Sequence, residues 1–142
     1  MENCIFCKII KGELPCSKIY EDDEVFAFMD IRPINPGHVL VIPKKHEQLM
    51  TELDDKIIKK LIVVGNMINR AIRKSKVKSE GLNFHLSDGQ AAGQEIFHVH
   101  LHLIPRFPRD GFGLVFPKRY KDKPKQGELD QVAKDIRSKL EN

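Results

Sequence analysis

Several absences narrow the reading of this 142-residue chain. No apolar run approaches the roughly 18 residues needed to cross a bilayer, so neither a membrane-spanning protein nor a membrane partner is expected. Met1-Glu2-Asn3 leads into an apolar patch broken at Lys8 and Lys11, without the basic start and sustained apolar core of an export signal. A cytoplasmic address is the corresponding expectation. Three cysteines, an odd number in a chain of this kind, argue against a disulfide framework. The net charge is only +4, and the sequence has no dense Lys/Arg stripe and no basic patch interleaved with aromatics, so a nucleic-acid partner is not expected. There is no internal repeat. The length suits one domain over residues 1–142, with a core at about 4–106 and a C-terminal extension at 107–142.

What is present is concentrated in one stretch, His98-Val99-His100-Leu101-His102-Leu103-Ile104-Pro105-Arg106. Polar and apolar residues alternate through its first six positions, which is the period of a half-buried strand. The three histidines then share one face and Val99, Leu101 and Leu103 the other. Pro105, which has no N–H for a ladder, is expected to stop the strand. Same-face neighbours lie about 6–7 Å apart and the outer pair about 13 Å apart, so one small ion cannot hold all three through a straight strand. Adjacent members can share a phosphate or a metal, leaving the third for other work.

The flanking sequence reads as an α+β protein. Residues 4–12 form a short helix closed by Gly12. Lys18–Glu21 and Val25–Asp30 form a hairpin about the acidic turn Glu21-Asp22-Asp23-Glu24. A proline-stiffened loop leads to a third strand, His38–Pro43, with a histidine at its mouth. Thr51-Glu52-Leu53-Asp54 resembles a capping box, and Ile57, Ile58, Leu61, Ile62, Gly65, Ile68, Ala71 and Ile72 then recur at helical spacing. Leu82–Ser87 alternates as a fourth strand, with His85 beside Asn83 and Ser87 and read as a solvated or supporting residue rather than a ligand. A last helix spans roughly Glu128–Leu140.

Cys4 and Cys7 make a C-x-x-C unit with only three residues before it, which is poor context for thioredoxin-type redox chemistry. Half of a structural zinc site fits better. Two thiolates with two imidazoles close a tetrahedron, and His46 and His98 are the candidate partners.

The run Gly93-Gln94-Glu95-Ile96-Phe97-His98-Val99-His100-Leu101-His102, followed by Leu103-Ile104-Pro105-Arg106, resembles the signature of the histidine triad (HIT) superfamily of nucleotide hydrolases and transferases. The resemblance extends over most of the span from Cys4 to Arg106. It implies a HIT-like fold: an antiparallel, meander-like sheet of five strands with one long helix and a C-terminal helix. It also implies a homodimer that continues one sheet across two chains. His100 takes the place of the nucleophile that attacks the α-phosphorus, and His102 and His38 those of the other triad members. The carbonyl of His98 would orient His100. Asp30 matches the ribose-binding aspartate, and Ile5, Phe6, Ile9, Leu14, Phe28 and Ile31 match the apolar base pocket, with plain core as the competing reading for those six. Gln94 and the N–H groups of Gly93 to Glu95 would cradle the phosphate. Members with the same C-x-x-C are similar in binding one zinc per chain, here Cys4, Cys7, His46 and His98, with no catalytic metal.

The chemistry is self-consistent, because a neutral imidazole is a competent nucleophile and phosphoryl transfer asks mainly for positioning and charge neutralisation. The expected partner is a purine nucleotide or nucleotide conjugate: a phosphoramidate, a dinucleoside polyphosphate or a relative of these. Two positions depart from some branches, Ser87 where they carry asparagine and Glu95 where they carry serine. An ionised Glu95 would repel a phosphate, which weakens the case for amine-releasing chemistry. Two other readings compete: a zinc-containing nucleotide-binding or interaction protein with little turnover, and a zinc hydrolase using His98, His100 and His102.

Overall fold

The structure is a computed structural model that describes residues 3–141. It divides into two compact units, one running to Gly111 and one beginning at Phe112.

In the first unit, α1 (Ile5–Ile10) is followed by Gly12 at φ 75°, a left-handed position that glycine takes without steric cost. The hairpin forms as the sequence predicts, from β1 (Lys18–Glu21) and β2 (Val25–Met29), antiparallel. Its turn is closed by Asp22, whose Oδ1 accepts the N–H groups of Glu24 and Val25 at 2.8 and 2.9 Å. β3 (Val39–Pro43) pairs with β2 along its whole length.

The Thr51–Asp54 pattern does not cap the long helix, whose N-cap Asp54 makes no side-chain cap hydrogen bond; Glu52 closes an earlier turn instead. Its Oε2 accepts the N–H groups of Gln48 and Leu49 at 2.9 and 3.0 Å, closing the single turn Met50–Glu52. The long helix α2 therefore starts at Asp55 and runs to Lys74. β4 (Gly81–His85) and β5 (Leu101–Arg106) complete a five-stranded antiparallel sheet. The order is β1-β2-β3-β5-β4, so the meander holds for three strands, and α2 then carries the chain to the far edge before it returns inside.

Two corrections concern β5. The strand begins at Leu101, so His98 and His100 lie on the approach to it rather than in the ladder. Pro105 does not stop it. The Arg106 carbonyl accepts the Glu80 N–H on the β4 side, so the position of Pro105's missing N–H faces the other way. On that side the pairing with β3 has already ended at Val39, and the Pro105 carbonyl accepts from Asn35 Nδ2 at 2.8 Å. The ordered core also reaches past 106, because Asp110 is clamped by Arg106 Nε and Nη2 at 2.6 and 2.9 Å and by Asn35 Nδ2 at 2.9 Å.

Strand alternation gives the sheet two unlike faces. Val25, Ala27, Val39, Val41, Leu101 and Leu103 pack with Leu61, Val64, Ile68 and Ile72 of α2. Gly65 lets the helix come close: a Cβ there would meet Phe84 Cε1 at 3.0 Å and Leu101 Cδ2 at 3.2 Å. Phe26, Phe28, Leu40 and Ile42 face the opposite way and gather Phe6, Ile9 and Ile10 of α1.

The second unit contains a short turn, Lys118–Lys121, and α3 (Gln126–Arg137), which begins before Glu128 and ends before Leu140, the bounds expected from the apolar spacing. Leu129, Val132 and Ile136 of α3 are exposed. Among the described residues no helix is long and apolar enough to cross a membrane.

Candidate active site and metal centre

The histidines gather on the α1 side of the sheet. His102 sits opposite Leu40 of β3 and His85 of β4, and His38 enters from the mouth of β3. The rings of His100 and His102 are 4.9 Å apart, and those of His38 and His102 5.1 Å. Phe6 of α1 lies edge-on to His100 at 5.3 Å.

Hydrogen bonding to groups of fixed polarity determines where the ring protons are. A carbonyl can only accept, so His100 Nδ1, 2.7 Å from the His98 carbonyl, carries the proton and Nε2 keeps its lone pair. An amide N–H can only donate. Ile34 N–H donates to His38 Nδ1 at 3.1 Å, so neutral His38 is protonated at Nε2. That Nε2–H donates to His102 Nδ1 at 2.9 Å, which leaves His102 protonated at its own Nε2. The result is a nucleophilic nitrogen on one ring beside an N–H donor on the next. Burial holds the set neutral: it pushes His102 down to about 4 and lowers His100 and His38 below the ordinary histidine value. Asp30 Oδ2 lies 3.6 Å from His38 Nε2, and its Oδ1 accepts the Arg32 N–H at 2.8 Å.

The second cluster is adjacent. Cys4, Cys7, His46 and His98 bring one ligand atom each to within 4.8 Å of one another. His98 Nε2–H donates to the Pro43 carbonyl at 2.8 Å, so its Nδ1 lone pair points into the cluster. That lone pair lies 3.5 Å from Cys4 Sγ, 3.7 Å from Cys7 Sγ and 3.2 Å from His46 Nδ1, and Cys7 Sγ is 3.3 Å from His46 Nδ1. A tetrahedron with Zn–S of about 2.3 Å and Zn–N of about 2.05 Å has S···N edges near 3.5 Å and N···N edges near 3.3 Å. The four residues fit such an ion, and the Pro43 carbonyl supplies the outer hydrogen bond that fixes a ligand's tautomer.

The same geometry overturns the idea of a zinc held by His98, His100 and His102. His98 turns its lone pair to the thiols, and the His100 ring faces the His98 carbonyl through Nδ1. The second cluster of possible ligands among the described residues is instead Asp30, His38 and His102.

The other expected contacts divide. Phe6 and Phe28 are buried, at 4% and 3% exposure, and pack against each other at 5.6 Å, whereas Ile5, Leu14 and Ile31 are exposed and Ile9 is half-buried. The six thus form an inner layer and an open rim. Gln94 is buried with its amide committed to the chain: Oε1 accepts the Gly89 N–H at 2.8 Å, and Nε2 donates to the carbonyls of Gln48 and Ile96 at 2.8 and 3.1 Å. The N–H groups of Gly93 and Gln94 donate to the carbonyls of Gln90 and Gly89. These residues shape the loop, and Gly93 takes φ 90° to do so. Glu95 is exposed, and Ser87 Oγ lies 3.2 Å from His85 Nε2. The proton positions on His38 and His98 were invisible in the sequence, because they depend on Ile34 and Pro43, which carry no motif.

Comparison with known proteins gives a consistent result. The family model described as HIT domain matches residues 11–109. A crystal structure of a member of the HIT family from Bacillus subtilis is 42% identical, with a TM-score of 0.89 over 99% of each chain. The adenosine 5′-monophosphoramidase of Candida albicans is 35% identical over 99% of this chain and 95% of its own. A Zn-bound histidine triad family protein from Mycobacterium smegmatis is 34% identical, with a TM-score of 0.75, covering 98% of this chain and 99% of that one.

Proposed function

The chain belongs to the HIT family of nucleotide hydrolases and transferases, and from that premise we propose that it cleaves a purine nucleotide conjugate at its α-phosphate through a nucleotidyl-His100 intermediate. The observation that carries the reading is the His98 carbonyl on His100 Nδ1–H, which leaves the Nε2 lone pair to attack phosphorus. As the Nε2–P bond forms, the bond to the leaving group breaks and its electron pair departs with that group, an amine taking up a proton from solvent water as it leaves. His102 Nε2–H donates to a non-bridging oxygen as charge accumulates there, and His38 holds His102 in the tautomer that can do so. Asp30 takes the ribose hydroxyls, Phe6 and Phe28 back the base pocket, and Ile5, Ile9, Leu14 and Ile31 line its rim. Ser87 and the loop Gly93-Gln94-Glu95 border the phosphate, with Gln94 holding the loop in shape. Phosphoramidates, in keeping with the Candida relative, and dinucleoside polyphosphates, in keeping with Glu95 in place of a serine, are the two conjugate classes in view.

Cys4, Cys7, His46 and His98 would hold a structural zinc, whose chemistry is to tie α1 to the approach of β5. The catalytic domain is the unit ending near Gly111, followed by a C-terminal extension. A homodimer would form along β4, because that edge presents the exposed Phe84, which lies against Gly65 of α2, and α2 exposes Ile62, Val63 and Met67, whereas β1 presents Lys18 and Glu21, which discourage pairing. Light scattering at micromolar concentration should give twice the chain mass.

The decisive experiment measures turnover on adenylyl and guanylyl phosphoramidates, dinucleoside polyphosphates and sugar nucleotides. Acid-free quenching with mass spectrometry should find one nucleotide on His100. Nucleotide binding without turnover on any of these would overturn the enzyme reading.

A further inference from the structure

Every ring nitrogen of His38 and His102 is accounted for. His38 Nδ1 accepts from Ile34, and its Nε2–H is given to His102 Nδ1. In this neutral pair neither ring has a free lone pair, and neither can give up a proton without becoming an imidazolate. The attacking nitrogen of His100 is consumed when it bonds phosphorus. The hydrolytic half of the reaction nevertheless needs an acceptor for a proton of water.

One more histidine belongs to the cluster. His85 lies opposite His102 on β4, and their rings are 5.7 Å apart at 61°. It is exposed, so it can exchange protons with solvent, while the other three rings are buried or half-buried. Ser87 Oγ, 3.2 Å from Nε2, is its hydrogen-bond partner among the described residues. A hydroxyl rotates to give or to take this bond, so the ring can hold either tautomer. A proton taken up by the exposed His85 can pass directly to bulk water.

We propose that His85 is the general base of the second step, resting on the reading of His100 as the nucleophile. Water oxygen bonds to phosphorus, the P–Nε2 bond of His100 breaks, and its electron pair returns to that nitrogen. The departing water proton goes to a ring nitrogen of His85 and from there to solvent, leaving free nucleotide and neutral His100.

The test separates the two steps by rapid quench, with the p-nitrophenyl ester of AMP as probe, whose leaving group departs without a proton. His85→Leu and His85→Gln should form nucleotidyl-enzyme at the wild-type rate. Its breakdown should slow by about 100-fold, the scale of general-base catalysis, and added imidazole should restore part of the loss in the leucine variant. Because His85 is exposed, both variants should fold, and the glutamine keeps a partner for Ser87. Unchanged breakdown would overturn the proposal. Equal slowing of both steps would also overturn it and make His85 a support for His102. If the wild type itself forms no nucleotidyl-histidine, the reading of His100 fails first, and a base for that intermediate fails with it.

Discussion

Val39, Val41, Leu101 and Leu103 turn toward α2, whereas Leu40, Ile42, His100 and His102 point to the opposite face. The α2 side is apolar throughout, and its stability comes from removing hydrocarbon from water and from close packing. On the α1 side, buried His38, His98 and His100 each meet a named partner: a carbonyl, an amide N–H or another ring. A buried imidazole without such a partner would cost about 1–3 kcal/mol. The lesson is a division of labour within single strands, where one set of side chains makes the sheet rigid and the alternate set uses that rigidity to hold proton positions.

Substitutions on the two faces should therefore separate activity from stability. The largest effect is expected from His100→Asn, which removes the attacking nitrogen. Its kcat should fall about 10⁴-fold, equivalent to about 5 kcal/mol of barrier, while thermal unfolding stays close to wild type. Retention of most of the turnover would show that the α1 face does something else. Next comes the double variant Cys4→Ser, Cys7→Ser. It should lose one equivalent of zinc by metal analysis, and its unfolding temperature should drop by roughly 10 °C or more, because α1 is released from His98. Unchanged zinc content would remove the metal assignment.

Leu103→Ala acts on the α2 face, where Leu103 is fully buried. A loss of about 3 kcal/mol in urea unfolding is expected, with activity per folded molecule preserved. Equal loss of activity would mean that the two faces are not separable.

The smallest effect is a pH slope. His102, pushed down to about 4, and His38, also lowered, bind protons in the unfolded chain near the ordinary 6.5 but resist them in the fold. The unfolded state is then the better proton binder between those values, so stability falls as pH drops from about 6.5 toward 4. Urea midpoints at several pH values should show this slope, and His102→Asn should flatten it.

Much of this was readable from the chain. Alternation located the strands, because one-sided burial imposes period two, and α2 followed from apolar residues at helical steps. The grouping of His38, His100 and His102 was implied by the resemblance to the histidine triad superfamily, and that of Cys4, Cys7, His46 and His98 by a C-x-x-C unit that needs two imidazoles to close a tetrahedron. What escaped was set by long-range geometry. Pro105 continues its strand only because β3 ends at Val39, and the Thr51–Asp54 spacing does not distinguish a helix start from the separate turn that Glu52 closes. Gln94 looks like a ligand contact in sequence but spends its amide on Gly89, Gln48 and Ile96. His85 carries no motif, and only the β4–β5 register puts it beside His102.

His98 has two attachments that differ in heritability. Its ring reaches the thiols, but the atom that orients His100 is its main-chain oxygen, which every amino acid possesses. Selection on the nucleophile therefore does not itself fix the side chain at residue 98, which is constrained through its ring by the cysteine cluster, the Pro43 carbonyl and the edge of Phe6. Along a lineage, loss of Cys4 and Cys7 should relax the demand at position 98 while position 100 stays fixed. A relative without the two cysteines is then expected to keep the attacking histidine and to need at position 98 only a side chain that fills the space between Phe6 and Pro43.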